Sequence, residues 1–366
     1  MGTSILGGVT FVVVFAGIIL VHELGHFIVA RLLHIEVEEF GIGFPPRAVK
    51  LFNWKGTDFT LNWIPLGGFN KIKGEDDPSL KGGMAAAKPW KRIVVLLAGA
   101  SMNLLTAVLV YTILFSQVGI PDSHSAVIAT IDTGSPAEAA GLKVNDIILA
   151  AGGQPVTSYD RLVSITHNYL GKLLPLVILR DGQPVEVSVT PRSVYPSVQG
   201  PMGVSIGQPL YPSKNWFQTI PSSLSAVGTD INNLLSLPGR IIAGTVPAQE
   251  AQVGGPRSIW NLFQQSVTRD VSSRQAAANT QTQVPTNYTL LVIISLTLTV
   301  GVINLLPIPA LDGWRIFTSL IEIIIRRPIP TKFQVAINSI GFMILLVLLG
   351  FFYIKDIISP IAFTLP

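Results

Sequence analysis

Two histidines and a glutamate stand within one turn of a predicted helix, in the segment His22-Glu23-Leu24-Gly25-His26. On a helix, His22 and His26 share a face, and the Glu23 carboxylate can reach the same side. Paired imidazoles bind zinc, and a nearby carboxylate takes a proton from a water that the metal activates. Because the same pattern occurs by chance in soluble helices, its surroundings must decide between a metal site and an ordinary helix.

The surroundings of this segment are apolar. Residues 5–21 carry no charged side chain, and residues 27–33 carry only Arg31. A charged side chain at bilayer depth costs about 2.5–3.5 kcal/mol, so such groups are seldom present without a function. Three ionisable groups in one turn of a membrane segment therefore favour a metal site, with Glu23 as the general base.

The composition also indicates an integral membrane protein. Of 366 residues, 49% are hydrophobic and 13% are charged, and the mean hydropathy is +0.52. A soluble protein carries about 25% charged residues. The chain has no cysteine, so disulfides are excluded and a zinc ion must use nitrogen and oxygen ligands. The absence of a basic block argues against nucleic-acid binding.

The apolar segments predict a polytopic α-helical membrane protein with about four transmembrane helices. They lie at residues 1–33, 93–118, 288–325 and 333–358. The second span carries Gly99 and Asn103, whose amide we expect to hydrogen-bond to another helix.

The short connections predict the orientation of these helices. Residues 31–92 hold ten lysines and arginines, and residues 326–332 hold three. The positive-inside rule places both connections in the cytoplasm. Both termini and residues 119–287 are then expected outside, with the active site toward the cytoplasmic side.

Residues 34–92 form the first loop and are unusually apolar. Short strands are predicted at 39–44 and 59–64, with breaks at Pro45-Pro46 and Gly67-Gly68. We interpret the loop as a β-hairpin that dips into the membrane, where protein or a wet cavity satisfies its backbone. The alternative is a surface hairpin at the level of the headgroups.

Residues 123–208 are water-soluble in character and predict a compact α+β domain, with a hairpin turn at Asp181-Gly182. Residues 209–287 are expected to form an extracytoplasmic segment. Within it, residues 216–242 predict an amphipathic helix on the membrane surface, and residues 266–286 have the composition of a flexible linker.

A second group of functional residues lies in the third span, between Asn304 and Gly313. Pro307 and Pro309 break this helix, and Asp312 follows the break. A carboxylate in lipid needs a cation, and catalytic zinc commonly has three protein ligands. His22, His26 and Asp312 would complete such a set. The alternative is that Asp312 only caps the helix that follows.

These motifs, with the sequence Pro65-Leu66-Gly67-Gly68 and the inserted domain, resemble the site-2 protease family of intramembrane zinc metalloproteases, of the bacterial type that contains a PDZ domain. The resemblance covers nearly the whole chain. It implies one Zn²⁺ per chain, held by the two histidines and the aspartate, and Glu23 as the catalytic base. It also implies that Asn304 positions the substrate and that residues 40–75 engage it.

The resemblance further implies that residues 123–208 are a circularly permuted PDZ domain, with Gly203, Val204 and Ser205 in the peptide-binding strand. Some relatives carry two such domains, whereas only one unit is evident here. The domain could bind a newly exposed carboxyl terminus or exclude substrates with bulky outer domains, and the sequence leaves both open.

The expected function is cleavage of a transmembrane segment in a single-span membrane protein, within the bacterial inner membrane. The relatives point to an anti-sigma factor that another protease has already trimmed outside the membrane. Two other classes remain as alternatives. One is a non-catalytic membrane scaffold with a relict HELGH motif, and the other is a metal transporter. The presence of Glu23, both histidines and Asp312 argues against the first, and the lack of a further relay of ionisable groups in the second and fourth spans argues against the second.

Overall fold

The computed structural model describes residues 2–122, 125–196, 199–213, 215–244, 254–280 and 287–359. These residues form two compact units, one made of Met1–Leu114 with Ser223–Pro366 and the other of Phe115–Ser222. Parts of the expected domain at 123–208 and of the segment at 209–287 lie outside the described residues.

The helices of the described chain are, in order, α1 (Gly2–Leu32), α2 (Pro89–Val118), α3 (Pro136–Ala139), α4 (Tyr159–Asn168), α5 (Ile220–Ile242), α6 (Pro256–Thr280), α7 (Tyr288–Ile303), α8 (Asp312–Ile325) and α9 (Thr331–Ile358). The strands are β1 (Val37–Trp54), β2 (Thr57–Ile72), β3 (Ile120–Pro121), β4 (Ala126–Ile131), β5 (Ile147–Ala151), β6 (Gln154–Pro155), β7 (Leu174–Arg180), β8 (Gln183–Val189), β9 (Val204–Gly207) and β10 (Leu210–Tyr211).

Three of the described helices, α1, α2 and α9, are long and apolar enough to cross a membrane. The segment expected as a broken span forms two shorter helices, the apolar α7 and the amphipathic α8. Residues 304–311 separate them and contain both prolines. The prolines each lack a backbone N–H, which ends the regular hydrogen-bond pattern of α7.

Strands β1 and β2 form a hairpin much longer than the short strands expected from the sequence. Residues 39–42 have backbone partners on both sides, at 58–61 and at 68–71. The hairpin is therefore folded on itself, and its two outer segments are 47–54 and 68–72. An unpaired outer segment presents backbone groups that can accept another strand.

An aromatic cluster packs this hairpin onto α1. The Phe27 ring of α1 lies 5.2 Å from the Phe40 ring and 5.6 Å from the Phe59 ring, measured between centroids. Phe27 and Phe40 are both buried. Burying each such ring contributes roughly 1.5–3 kcal/mol, so the cluster fixes β1 and β2 beside the histidine-bearing helix.

The prediction of a flexible linker at 266–286 is wrong for residues 266–280, because these residues belong to α6. Residues 281–286 lie outside the described residues. Trp260 and Phe263 of α6 pack against Phe11 of α1, with ring centroids 5.4 and 5.5 Å apart. Asp270 accepts hydrogen bonds from the backbone N–H groups of Tyr288 and Thr289 at 2.6 and 3.1 Å, and so caps α7. Tertiary contacts therefore stabilise a helix that composition alone does not predict.

The second unit contains a sheet with strand order β8-β7-β5-β4-β9, and β6 pairs with β5. Its α+β character matches the prediction for this region, and Asp181 and Gly182 adopt the positive φ angles of the expected hairpin turn. Asp146 accepts two hydrogen bonds from Arg180, at 2.6 and 2.8 Å. Burial raises the pKa of Asp146, but the bonds from Arg180 and from the Lys143 backbone outweigh it and hold the pKa below its usual value.

Candidate metal centre

His22 and His26 lie one turn apart on α1 and face α2. Both are 6% exposed. Two glycines permit this close approach of the helices: a Cβ on Gly25 would lie 2.8 Å from the Ala98 carbonyl carbon, and a Cβ on Gly99 would lie 2.8 Å from Cε1 of His22. The imidazoles therefore fill the space that a side chain at position 99 would need.

The loop between α7 and α8 brings Asp312 to the histidines. The Gly313 N–H donates to the Asn304 carbonyl oxygen at 2.7 Å, and a Cβ on Gly313 would lie 2.5 Å from the Leu305 carbonyl carbon. Ala310 has a φ of +75°, a conformation that L residues seldom adopt without support from their surroundings.

Helix α9 provides part of that support. A Cβ on Gly341 would lie 2.9 Å from the Pro309 carbonyl carbon, and the Asn338 amide oxygen accepts from the Ala310 N–H at 3.4 Å. Irregular backbone in a membrane segment is tolerated where protein covers it. The loop is therefore positioned by contacts with α9 as well as by its own turns.

Three potential ligand atoms converge at this point. The Nε2 atom of His22 lies 3.0 Å from Oδ2 of Asp312 and 3.1 Å from Nε2 of His26. Nε2 of His26 lies 3.2 Å from the same carboxylate oxygen. Zinc bonds of roughly 2.0–2.1 Å at tetrahedral angles place ligand atoms about 3.3 Å apart. The nitrogen and oxygen donors therefore fit a zinc ion in both type and spacing.

A backbone contact fixes the orientation of one ring. Nδ1 of His26 lies 2.8 Å from the carbonyl oxygen of Val95. A carbonyl oxygen only accepts, so Nδ1 carries the proton and Nε2 keeps its lone pair for a metal.

A cavity of about 290 Å³ adjoins the three ligand atoms. Glu23 lines it beside the predicted ligands, as does Asn304. The outer β2 segment reaches the same place, because a Cβ on Gly68 would lie 3.2 Å from Cγ of Glu23. A carboxylate, a candidate metal centre and an outer strand segment thus border one cavity, and a metal-bound water next to a carboxylate is suited to hydrolysis.

The sequence did not identify several residues of this site. Asn70 and Glu75 line the cavity, and Arg315 of α8 forms ion pairs with Glu75 and Asp76. Asn70 and Glu75 fall within residues 40–75, which the resemblance associates with the substrate, but no motif singles them out, and their contact with the site depends on the fold of the hairpin. The predicted peptide-binding residues Gly203, Val204 and Ser205 belong to the other unit, at the edge strand β9 and the residue before it.

Comparison with known proteins gives consistent matches. The family model of peptidase family M50 matches residues 10–348. A Clostridium perfringens protein named as a zinc metalloprotease is 35% identical over 358 residues, which cover 95% of this chain and 97% of the relative. A Campylobacter jejuni protein with the same description is 32% identical, over 94% of this chain and 92% of the relative. Metalloprotease MmpA of Caulobacter vibrioides is 26% identical, over 92% of each chain.

The family match extends across both histidines, the glutamate and the aspartate of the candidate site. The apolar helices agree with a membrane location, and the donor geometry agrees with zinc. The chain therefore belongs to peptidase family M50, the site-2 protease family of zinc-dependent membrane metalloproteases.

Proposed function

We propose that this metalloprotease cuts a peptide bond within the transmembrane segment of a single-span membrane protein. The observation that carries the proposal is the convergence of His22, His26 and Asp312 on one point, with separations of 3.0–3.2 Å between donor atoms. These donors lie on or beside apolar helices, and Glu23 borders the same cavity. His22, His26 and Asp312 are the proposed zinc ligands, one ion per chain.

The proposed chemistry is hydrolysis with Glu23 as general base. Held by the three proposed ligands, zinc would act as a Lewis acid toward a water and the scissile carbonyl. Glu23 accepts the proton of the attacking water and returns it to the leaving amine. The Val95 carbonyl keeps His26 in the ligating tautomer. Asn304, at the end of α7 and at the wall of the cavity, is the proposed substrate-positioning residue.

The proposed site for the substrate backbone is the outer β2 segment, residues 68–72. A transmembrane helix satisfies its own hydrogen bonds and must unwind before a peptide bond can be attacked. Strand pairing with an outer hairpin segment would replace the lost bonds. Residues 68–72 border the cavity beside Glu23, whereas the other outer segment, 47–54, does not line that cavity.

The proposed biological setting is regulated intramembrane proteolysis in the bacterial inner membrane. The substrate would be an anti-sigma factor that a first protease has trimmed. In this proposal α7 and α8 together form the third of four crossings, between α2 and α9 in chain order, with the active site toward the cytoplasm and both termini outside. The second unit is proposed to be an extracytoplasmic PDZ-like domain, and its edge strand β9 supports peptide binding at Gly203, Val204 and Ser205.

The test of this proposal combines zinc analysis with cleavage of a model single-span substrate. His22→Ala, His26→Ala and Asp312→Ala should each remove zinc and abolish cleavage, since three protein ligands are the usual minimum for a catalytic site. His167→Ala, in α4 of the other unit, is the matched control and should keep both. Retention of about one zinc per chain by the three ligand variants would contradict the proposed site.

A further inference from the structure

The second ring nitrogen of His22 faces Asn103 of α2. Nδ1 of His22 lies 3.5 Å from the amide nitrogen of Asn103. Asn103 is fully buried, and its amide oxygen has no hydrogen-bond partner among the described residues. Leaving a buried oxygen unpaired costs about 1–3 kcal/mol. An arrangement in which this oxygen accepts a hydrogen bond is therefore more stable.

A metal-binding histidine provides a hydrogen-bond donor for such an oxygen. When Nε2 of a neutral imidazole binds a metal, Nδ1 carries the proton and needs an acceptor. A rotation of about 180° about the last side-chain bond of Asn103 exchanges its amide oxygen and nitrogen. The oxygen would then face Nδ1–H of His22. One rotation therefore gives the ring proton an acceptor and pairs the buried oxygen, while the amide nitrogen takes the position that the oxygen held.

Packing holds Asn103 in place for this contact. Gly99 lies one turn earlier on α2, against both imidazoles. On the other side, a Cβ on Gly301 of α7 would lie 3.3 Å from Cβ of Asn103. The Asn103 side chain is thus held between the histidine-bearing helix and α7. The amide can exchange its two ends by rotation, but the backbone has little room to withdraw.

We propose that Asn103 is a positioning residue that accepts a hydrogen bond from Nδ1–H of His22 and directs Nε2 of that ring toward Asp312. Asn103 then orients the His22 ring by accepting from its Nδ1–H, in the same way that the Val95 carbonyl orients the His26 ring. The inference rests on the proposed ligand set and adds a residue that orients it. Partners of this kind typically change metal affinity about 10- to 100-fold when removed.

The test measures zinc affinity of the full-length protein in detergent by competition with a chelator. Asn103→Leu keeps a similar shape but has no acceptor, so its zinc affinity should fall about 10- to 100-fold. Asn103→Asp keeps an acceptor and should bind zinc within a few-fold of wild type. Thr106→Val is the matched control on α2, because the Thr106 hydroxyl donates to the Met102 carbonyl of its own helix. It should leave zinc affinity unchanged.

A second readout reports ligand geometry directly. The visible spectrum of the Co²⁺-loaded protein should change in Asn103→Leu and stay close to wild type in Asn103→Asp. If Asn103→Leu does not fold, Asn103→Ala takes its place in the comparison with Asn103→Asp.

Two outcomes would overturn this inference without affecting the proposed ligand set. One is wild-type zinc affinity in Asn103→Leu. The other is an equal loss of zinc affinity in Asn103→Leu and Asn103→Asp, which would indicate that Asn103 acts only through packing. The variant His22→Ala distinguishes failure of the Asn103 inference from failure of the proposed metal site. If that variant keeps its zinc, or if folded wild type holds none, the ligand set and the inference fall together.

Discussion

At the residue scale, the candidate site joins short motifs that are readable in the sequence to contacts that are not. His22, Glu23 and His26 are fixed relative to one another by helical spacing, and Asp312 follows two prolines that interrupt a helix. Each pattern is local and therefore readable in the sequence, and the three protein ligands usual for catalytic zinc join Asp312 to the histidines as one set. The Val95 carbonyl that orients His26 is a long-range contact, and no spacing rule predicts it.

Gly99 illustrates how closely the residues of this site are packed. A Cβ there would lie 2.8 Å from Cε1 of His22, so Gly99→Ala should displace the imidazoles. We expect it to destabilise the fold by about 1–3 kcal/mol, as overpacking does, and to lower zinc occupancy. Gly17→Ala is the control, because a Cβ there meets nothing within 4 Å. Zinc analysis and thermal unfolding of both variants check this, and full zinc occupancy in Gly99→Ala would contradict the packing account.

At the scale of elements, the hairpin of β1 and β2 differs most from the sequence expectation. Alternation predicted short strands at 39–44 and 59–64, whereas the strands extend over Val37–Trp54 and Thr57–Ile72. The cause is non-local pairing: residues 39–42 have partners on both sides. Local periodicity reports which face of a strand is buried but not how a hairpin folds on itself.

The two outer segments of this hairpin allow a matched test of substrate pairing. In a strand, alternate N–H groups point to the open side, so proline at Asn70 or at Lys71 should remove one of them. At least one of Asn70→Pro and Lys71→Pro should reduce cleavage of the model substrate about tenfold or more. Each lost backbone hydrogen bond to the substrate costs about 0.5–1.5 kcal/mol, and misplacement of the scissile bond slows cleavage further.

The controls are Val49→Pro and Lys50→Pro on the opposite outer segment, which likewise sample both sides of the strand and should leave cleavage near the wild-type rate. All four proteins should hold zinc. Equal cleavage by all four variants would argue against substrate pairing at residues 68–72.

At the scale of the whole molecule, the candidate metal centre belongs to one unit. His22, Glu23, His26 and Asp312 all lie in the unit of Met1–Leu114 and Ser223–Pro366. The α+β character of the other unit was readable from its turns and alternating strands. Its relation to PDZ domains stays a prediction, because strand order alone does not identify a peptide-binding groove.

Removal of the second unit tests this division. The Thr112 hydroxyl donates to the Ser223 hydroxyl at 3.2 Å, so the two ends of the remaining unit are close enough for a short Gly/Ser linker in place of residues 115–222. The shortened chain should keep its zinc, measured by metal analysis, because every proposed ligand remains. Loss of zinc from a folded shortened chain would contradict the division.

The same shortened chain distinguishes the two roles considered for the second unit. Loss of cleavage of trimmed substrates, with zinc retained, would indicate peptide binding. Cleavage of substrates that still carry a bulky outer domain would indicate a size filter.

The most direct measurement of the central claim compares wild type with Glu23→Gln on one model single-span substrate, with zinc content determined for both. Wild type should cut within the transmembrane segment and hold about one zinc. Glu23→Gln should hold the same zinc and cut about 10²- to 10⁴-fold more slowly, because the amide cannot accept the proton of the attacking water. Glu36→Gln, which removes one side of an ion pair with Lys73, is the control and should cut normally. Cleavage by Glu23→Gln at the wild-type rate, or a folded wild type without zinc, would contradict the account.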